Sequence, residues 1–250
     1  MLNTAIILAG GFGTRLQTVV SDVPKPMAPV NGLPFLNYQL NYLKHYGIKN
    51  VIISVGYLAI KIKEYYKDSF NGMSIYYANE LTPLGTGGGI RLALEKADSK
   101  QVIVLNGDSF FDVDLNEFYR NSYLHESDFS IAIRKVENAG RYGTIELGKY
   151  VLPGGITENL EKFFKVAAFK EKSGNEGEGF INGGVYILNK KQFFKFTKPN
   201  HTFSIEKDFF ETQCANQDIG AFISDGYFID IGVPEDYLKA QHDFKEFKYR

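Results

Sequence analysis

A short apolar run, Thr4 to Leu8, gives way to Ala9-Gly10-Gly11-Phe12-Gly13-Thr14-Arg15-Leu16, and a basic turn, Pro24-Lys25-Pro26, follows soon after. A buried strand that breaks into glycines has few places to go. Gly10, Gly11 and Gly13 allow a tight turn and leave backbone N–H groups bare, an arrangement that cradles anions. Arg15 and Lys25 bring the compensating positive charge. The pattern predicts a cradle for the phosphates of a nucleoside triphosphate, built from Leu8, Ala9, Gly10, Gly11, Gly13 and Thr14.

Two commoner glycine loops do not fit. A dinucleotide fingerprint ends on a third glycine and runs into a helix, whereas this loop reaches Leu16 and then two prolines. A Walker loop needs Gly-Lys-Ser/Thr, but Gly13-Thr14-Arg15 stands there and the lysine comes ten residues later. An ordinary strand-to-loop turn explains the glycines alone, but not the cations beside them.

With 250 residues, 44% of them hydrophobic, the chain can bury a sizeable core. Its net charge of -1 argues against broad binding to nucleic acid or anionic membranes. Cys214 is the only cysteine, and His45, His125, His201 and His242 are scattered. Neither a structural zinc site nor a Cys/His nucleophile is suggested. No apolar stretch approaches the ~20 residues of a membrane span and no signal-like n-region precedes Thr4, so a cytoplasmic location is expected.

The first half alternates strand and helix signals: strands at Thr4 to Leu8, Val51 to Val55, Ser74 to Ala78 and Val102 to Asn106, helices at Phe35 to Tyr46, Leu58 to Lys67 and Ile90 to Ala97. Continuous apolar strands of this kind predict an α/β fold with a Rossmann-like, mostly parallel central sheet carrying its ligand at the strand C-terminal ends. Asp114, with Glu117 three residues on, marks a capped helix to Ser122. Beyond Ser127 the chain becomes strand-rich, at Phe129 to Arg134, Thr144 to Leu147, Val166 to Lys172 and Phe180 to Leu188. Helices are expected at Ile205 to Asn216 and Val233 to Phe247. The expected organisation is a single domain over residues 1–250, with a nucleotide half (1–127) and a sugar-phosphate half (128–250).

Several segments carry candidate chemistry. Glu80 to Gly89 reads as a second glycine-rich loop, able to admit a flat ring beside Pro83, Gly85 and Thr86, or else as a plain connector. Gly107-Asp108 ends an apolar strand at the rim where phosphates would lie, and Asp230 ends another short apolar segment. Each alone is an ordinary turn residue; together with the glycine loops they suit Mg²⁺, a hard ion that needs only one or two protein oxygens. Lys170 and Lys172 share one strand face, as on any solvated strand. Asn182-Gly183-Gly184 interrupts a strand, which weakens it unless something approaches closely; a sugar held by Asn182 fits, with Tyr142-Gly143 lining the same cavity.

Taken in order, Leu8 to Leu16, Pro24 to Pro26, Pro83 to Gly88, Gly107-Asp108, Phe169 to Lys172, Asn182 to Gly184 and Asp230 to Tyr237 resemble the sugar-1-phosphate nucleotidyltransferases over nearly the whole chain. Ala5 to Leu16 and Ser21 to Phe35 are most similar to the guanylyltransferase branch that acts on D-glycero-α-D-manno-heptose 1-phosphate. The resemblance implies a glycosyltransferase-A-like fold and Mg²⁺-dependent transfer of a nucleotidyl group, GMP from GTP, to a sugar 1-phosphate. Pyrophosphate leaves, and the nucleotide sugar feeds surface or capsule polysaccharide synthesis. It also implies that Arg15 contacts the triphosphate, Lys25 the α-phosphate region, Asp108 and Asp230 the metal, Lys172 the sugar phosphate, and Glu171 and Asn182 the sugar, with Gly183 beside it. A homo-oligomer, as a dimer, is expected; the hexapeptide-repeat β-helix of some relatives is absent from the sequence, and Gly148 to Phe164 is longer than usual for the family.

No nucleophilic side chain is required, because a sugar 1-phosphate is already anionic near neutral pH. Catalysis then consists of alignment and charge compensation. Glu80 is placed to accept both N–H groups of guanine, and a backbone carbonyl of Leu84 or Gly85 is an alternative reader. Mannose- or glucose-1-phosphate transfer with GTP, UTP or dTTP, a nicotinamide-dependent dehydrogenase and a non-catalytic nucleotide sensor are the competing readings.

Overall fold

The computed structural model describes residues 2–11, 13, 16, 19–149, 162–170 and 177–250. In chain order its first half contains β1 (Thr4–Ala9), a single 3-10 turn (Lys25–Met27), β2 (Pro29–Val30), β3 (Leu33–Pro34), α1 (Phe35–His45), β4 (Asn50–Val55), α2 (Ala59–Tyr66), β5 (Ser69–Phe70), β6 (Met73–Asn79), α3 (Gly85–Glu95), β7 (Gln101–Asn106), β8 (Ser109–Phe111) and α4 (Leu115–Leu124). The second half adds β9 (Phe129–Val136), β10 (Thr144–Gly148), β11 (Phe163–Lys170), β12 (Gly179–Asn189), α5 (Lys190–Phe196), a π-helical turn (Ile205–Phe210) leading into α6 (Glu211–Gln213), β13 (Ile219–Ile223), β14 (Phe228–Asp230) and α7 (Pro234–Asp243).

Ten strands form one sheet in the order β10-β11-β13-β9-β12-β7-β1-β4-β6-β5. Within it β7, β1, β4 and β6 run parallel, with Ile6 opposite both Ile52 and Val104. The continuous apolar sequences of β7, β1 and β4 follow from burial on both faces, whereas β6 alternates buried and exposed positions. Ala5, Ile7 and Ile53 join the core under α1 and α7, whereas Ile6, Ile52 and Val104 join a second core under α3. Alternate side chains of a strand point to opposite faces, so a strand clad on both sides has no polar face to spare. Each fully buried Ile or Leu contributes roughly 1.5–3 kcal/mol relative to exposure.

Antiparallel β12 joins the two halves, pairing Val185 with Leu105 of β7 and Tyr186 with Ile131 of β9. Beyond β9 the order runs through β13 and β11 to β10, and β10 returns to pair Thr144 with Ile181 of β12. Five strands therefore close a ring of pairings beside the parallel sheet.

The parallel strands of the first half and the strand-rich second half agree with the sequence, although the ten-stranded sheet as a whole is mixed, and Asp114 caps α4 by accepting the N–H groups of Asn116 and Glu117. Five elements differ in particular. α3 starts at Gly85, so the second half of the expected glycine loop is helix; the glycines serve packing, since a Cβ on Gly87 would lie 2.1 Å from the Phe203 ring. The expected helix from Ile205 to Asn216 is a π-helical turn plus one short turn, ending at Gln213. α5 and β13 were not anticipated, being short and capped or flanked by polar residues. α7 stops at Asp243, where the chain turns so that Phe244 and Phe247 stack at 4.1 Å.

Candidate functional site

Parallel strands deliver their following residues to one edge of a sheet, where open α/β folds bind ligands. Gly10 follows β1, Glu80 follows β6, and Gly107 and Asp108 follow β7; all line a cleft of about 450 Å³. Gly13 has a φ of +64°, the left-handed region, and the stem of Lys25 crosses it so closely that a Cβ would meet Lys25 Cγ at 2.6 Å. Gly10 is similarly pressed by Glu80, but a Cβ on Gly11 would meet nothing within 4 Å among the described residues. Two of these glycines are therefore explained by protein contacts, while no described residue crowds Gly11.

The 3-10 turn fixes Lys25 at the floor of the cleft. Its Nζ donates to Asp108 Oδ2 at 3.1 Å and approaches the Asp230–Gly232 turn, lying 3.3 Å from where a Gly232 Cβ would sit. β8 and β14 pair antiparallel with Ser109 opposite Asp230, and Ile231 N–H donates to the Asp108 carbonyl at 2.9 Å. The two aspartates, 122 positions apart by their numbers (230 − 108), thus arrive together through this small sheet. Asp230 Oδ1 accepts the Gly232 N–H at 2.7 Å. Among the described residues no group of three or more His, Cys, Asp and Glu side chains could hold a metal. Two carboxylates beside an open, glycine-lined cleft nevertheless suit Mg²⁺, which keeps several waters and needs only one or two protein oxygens.

Glu80 is held from two sides: Oε1 accepts the Ser54 hydroxyl at 2.9 Å and Oε2 the Leu84 N–H at 3.0 Å. The alternative reader, the Leu84 carbonyl, accepts the Phe203 N–H at 3.0 Å.

The opposite wall comes from the second half. Tyr142 packs edge-on to Phe228 with ring centroids 5.7 Å apart, and burial pushes its phenol pKa up while neighbouring Arg141 opposes the shift. The Asp236 carboxylate, in the first turn of α7, accepts from Arg141 at 2.8 Å and raises the pKa of its guanidinium. At Asn182–Val185 the register of β12 slips: Asn182 Oδ1 accepts the Gly184 N–H at 2.9 Å, and Gly184 takes a φ of +72°. What approaches Gly183 is protein, because a Cβ there would lie 2.2 Å from the Phe111 ring. Protein contacts alone thus require glycine at these positions, and the register slip they allow sets Asn182 and Gly183 in the lining of the cleft. The Asn182 amide donates to Tyr186 Oη at 2.8 Å, and Tyr186 in turn lies 3.4 Å from Glu206 Oε1.

The cleft brings together Leu8, Ala9, Gly10, Gly11, Gly13, Lys25, Glu80, Pro83, Gly85, Thr86, Gly107, Asp108, Tyr142, Gly143, Asn182, Gly183 and Asp230. Thr14, Arg15, Glu171, Lys172 and residues 150–161 lie outside the described residues. Lys170 is exposed and paired with Glu146 at 2.6 Å, as on a solvated strand. Sequence reading missed Arg141 and Glu206. Arg141 was detectable as a cation beside the Tyr-Gly pair; Glu206 had no local signal, since its partner Thr86, donating at 2.6 Å, is 120 residues away.

The sequence pattern of the nucleotidyl transferase family matches residues 4–246. A D-glycero-alpha-D-manno-heptose 1-phosphate guanylyltransferase of Aneurinibacillus thermoaerophilus is 43% identical over 243 residues, covering 97% of this chain and 99% of that one. One of the same description from Campylobacter jejuni is 44% identical over 233 residues, covering 93% and 96%. The crystal structure of HddC from Yersinia pseudotuberculosis, also solved in complex with GMP-PN, superposes with a TM-score of 0.81 at 36% identity, over 98% of this chain and 100% of that one.

Proposed function

The chain belongs to the nucleotidyl transferase family, and from that premise we propose that it transfers GMP from GTP to D-glycero-α-D-manno-heptose 1-phosphate, releasing pyrophosphate. The observation that carries this reading is near full-length identity of 43% and 44% to two guanylyltransferases of that specificity, on a chain whose cleft sets Lys25, Asp108 and Asp230 between a glycine cradle and the Tyr142–Asn182 wall.

The reaction joins two polyanions, so the protein's task is to hold the sugar phosphate oxygen in line with the α-phosphorus of the nucleotide, opposite the departing pyrophosphate. Bare amides at Gly10 and Gly11 bind triphosphate oxygens, Lys25 offsets charge that builds at the α-phosphate, and Arg15 takes the outer phosphates. Lys172 holds the sugar phosphate; Glu171, Asn182 and Tyr142 take the sugar. Where Mg²⁺ binds, Asp108 and Asp230 hold it, and it neutralises triphosphate charge.

Guanine offers adjacent N1–H and N2–H donors, whereas uracil and thymine offer one N–H flanked by carbonyls that a carboxylate repels. Glu80 is oriented for this by Ser54 and Leu84, each using one lone pair and leaving others free. Pyrophosphate release measured with each nucleoside triphosphate and a panel of sugar 1-phosphates tests the reading: GTP with the heptose phosphate is expected to give the highest kcat/KM. Glu80→Gln is expected to narrow the preference over UTP by roughly 1–3 kcal/mol. A wild-type preference for another triphosphate overturns the donor; an unchanged preference in Glu80→Gln overturns the residue.

A further inference from the structure

Gln39 sits in the middle of α1 and is fully buried, on a helix whose neighbouring positions, Leu36, Tyr38, Leu40 and Leu43, all join the hydrophobic core. Its amide nitrogen donates twice, to the Asn106 carbonyl at 2.7 Å and the Ser109 carbonyl at 2.7 Å. A carboxamide has only these two N–H donors, and facing two carbonyl oxygens fixes which end of the amide points inward. Gln39 Oε1 is buried and accepts nothing among the described residues. Leaving a buried acceptor unmatched disfavours folding. A leucine or methionine would avoid that penalty but would leave the Asn106 and Ser109 carbonyls without this donor, so what a glutamine supplies at this position is the pair of hydrogen bonds and not packing.

The two carbonyls it holds stand on either side of Gly107-Asp108. The same turn is pinned by Gly107 N–H on the Leu8 carbonyl, at 2.9 Å, and by Ile231 N–H on the Asp108 carbonyl, at 2.9 Å. Gly107 has no room to shift toward β1, since a Cβ would lie 2.2 Å from the Leu8 oxygen. The β1 and β14 sides of the turn are thereby fixed, and α1 supplies the third side through the two hydrogen bonds of Gln39. From these contacts we propose that Gln39 is a positioning residue: it clamps the β7–β8 turn so that the Asp108 carboxylate meets the Lys25 ammonium and the reacting phosphates. It never touches substrate. This inference rests on the role proposed above for Asp108.

The test is a double-mutant cycle with Gln39→Met, which keeps the volume and removes both donors, and with Gln39→Leu as a second, shorter replacement. Each is expected to lower kcat by about 10- to 100-fold, the scale set by ångström-level misplacement of reacting groups, with KM for the sugar 1-phosphate unchanged. Affinity for a non-hydrolysable GTP analogue, measured by calorimetry, is expected to fall in the presence of Mg²⁺ and to hold in its absence. In an Asp108→Asn background, Gln39→Met is expected to lower kcat no further, because residues acting as a unit are non-additive. A loss of the same size in both backgrounds, or wild-type kcat and Mg²⁺-dependent affinity in either folded variant, overturns the positioning role. If Asp108→Asn alone leaves turnover and Mg²⁺-dependent binding intact, the Asp108 assignment fails instead, whatever Gln39 does.

Discussion

The two walls of the cleft reach the same space by different means. On the nucleotide side the lining is backbone and strand-end residues, Gly10, Gly11, Gly107 and Asp108, positioned by parallel strands buried on both faces. On the sugar side it is side chains tied to one another, Asn182 to Tyr186, Tyr186 beside Glu206, Glu206 to Thr86, and Arg141 to Asp236. A strand end in a clad sheet has its direction set by the core beneath it, and contacts to the turn that follows, such as those of Gln39 and Ile231 at Gly107-Asp108, complete the placement. A bulged antiparallel strand leaves that direction open, and a hydrogen-bond network supplies it. The nucleotide wall is therefore placed first by packing, with backbone clamps at the turns, and the sugar wall by contacts between its side chains.

If that contrast holds, charge changes at the strand ends act on turnover and not on folding. Asp108→Asn and Lys25→Ala are each expected to lower kcat by about 10²-fold or more, with circular dichroism unchanged. Near-normal turnover in either folded variant breaks the assignment of the nucleotide wall.

Gly183→Ala probes the other wall through packing. The Phe111 ring occupies the space a Cβ needs, so β12 or β8 must move. Overpacking of this kind destabilises by about 1–3 kcal/mol, read as a fall in the denaturation midpoint. Because Asn182 rides on the same bulge, KM for the sugar phosphate is expected to rise more than KM for nucleotide. Unchanged stability would mean that the bulge is looser than its contacts imply.

The smallest effect is expected at Gly11, where a Cβ meets no atom of the described residues within 4 Å. Gly11→Ala is expected to leave the denaturation midpoint within about 0.5 kcal/mol of wild type, as at an ordinary surface position, while raising KM for the triphosphate several-fold. A stability loss as large as that of Gly183→Ala would erase the distinction between the walls.

Legibility in the sequence followed the same division. The glycine cradle, Lys25 and Asp108 could be read locally, because a continuous apolar run ending in Gly or Gly-Asp announces both the strand and what it carries to the sheet edge. The start of α3 could not: glycines are poor helix formers, yet Gly85–Gly89 are helical because the backbone and ring of Phe203 and the backbone of His201 pack where side chains would stand. Asp230 was recognisable as a strand-end carboxylate, but nothing local placed it beside Asp108. Its position comes from pairing across β8 and β14.

The amino-acid sequence by itself indicated the parallel strands of the first half and the glycines, Lys25 and Asp108 that line the cleft at their ends, since each depends on periodicity and chemistry within a few neighbouring positions. Tertiary structure alone decided the bulge that sets Asn182 in the cleft lining, the approach of Glu206 to Thr86, the Arg141–Asp236 pair and the reach of Gln39 across to the Asp108 turn. Those contacts join residues from tens to more than a hundred positions apart or depend on a register slip, and a linear pattern holds no record of which distant atoms the packed core brings within hydrogen-bond reach.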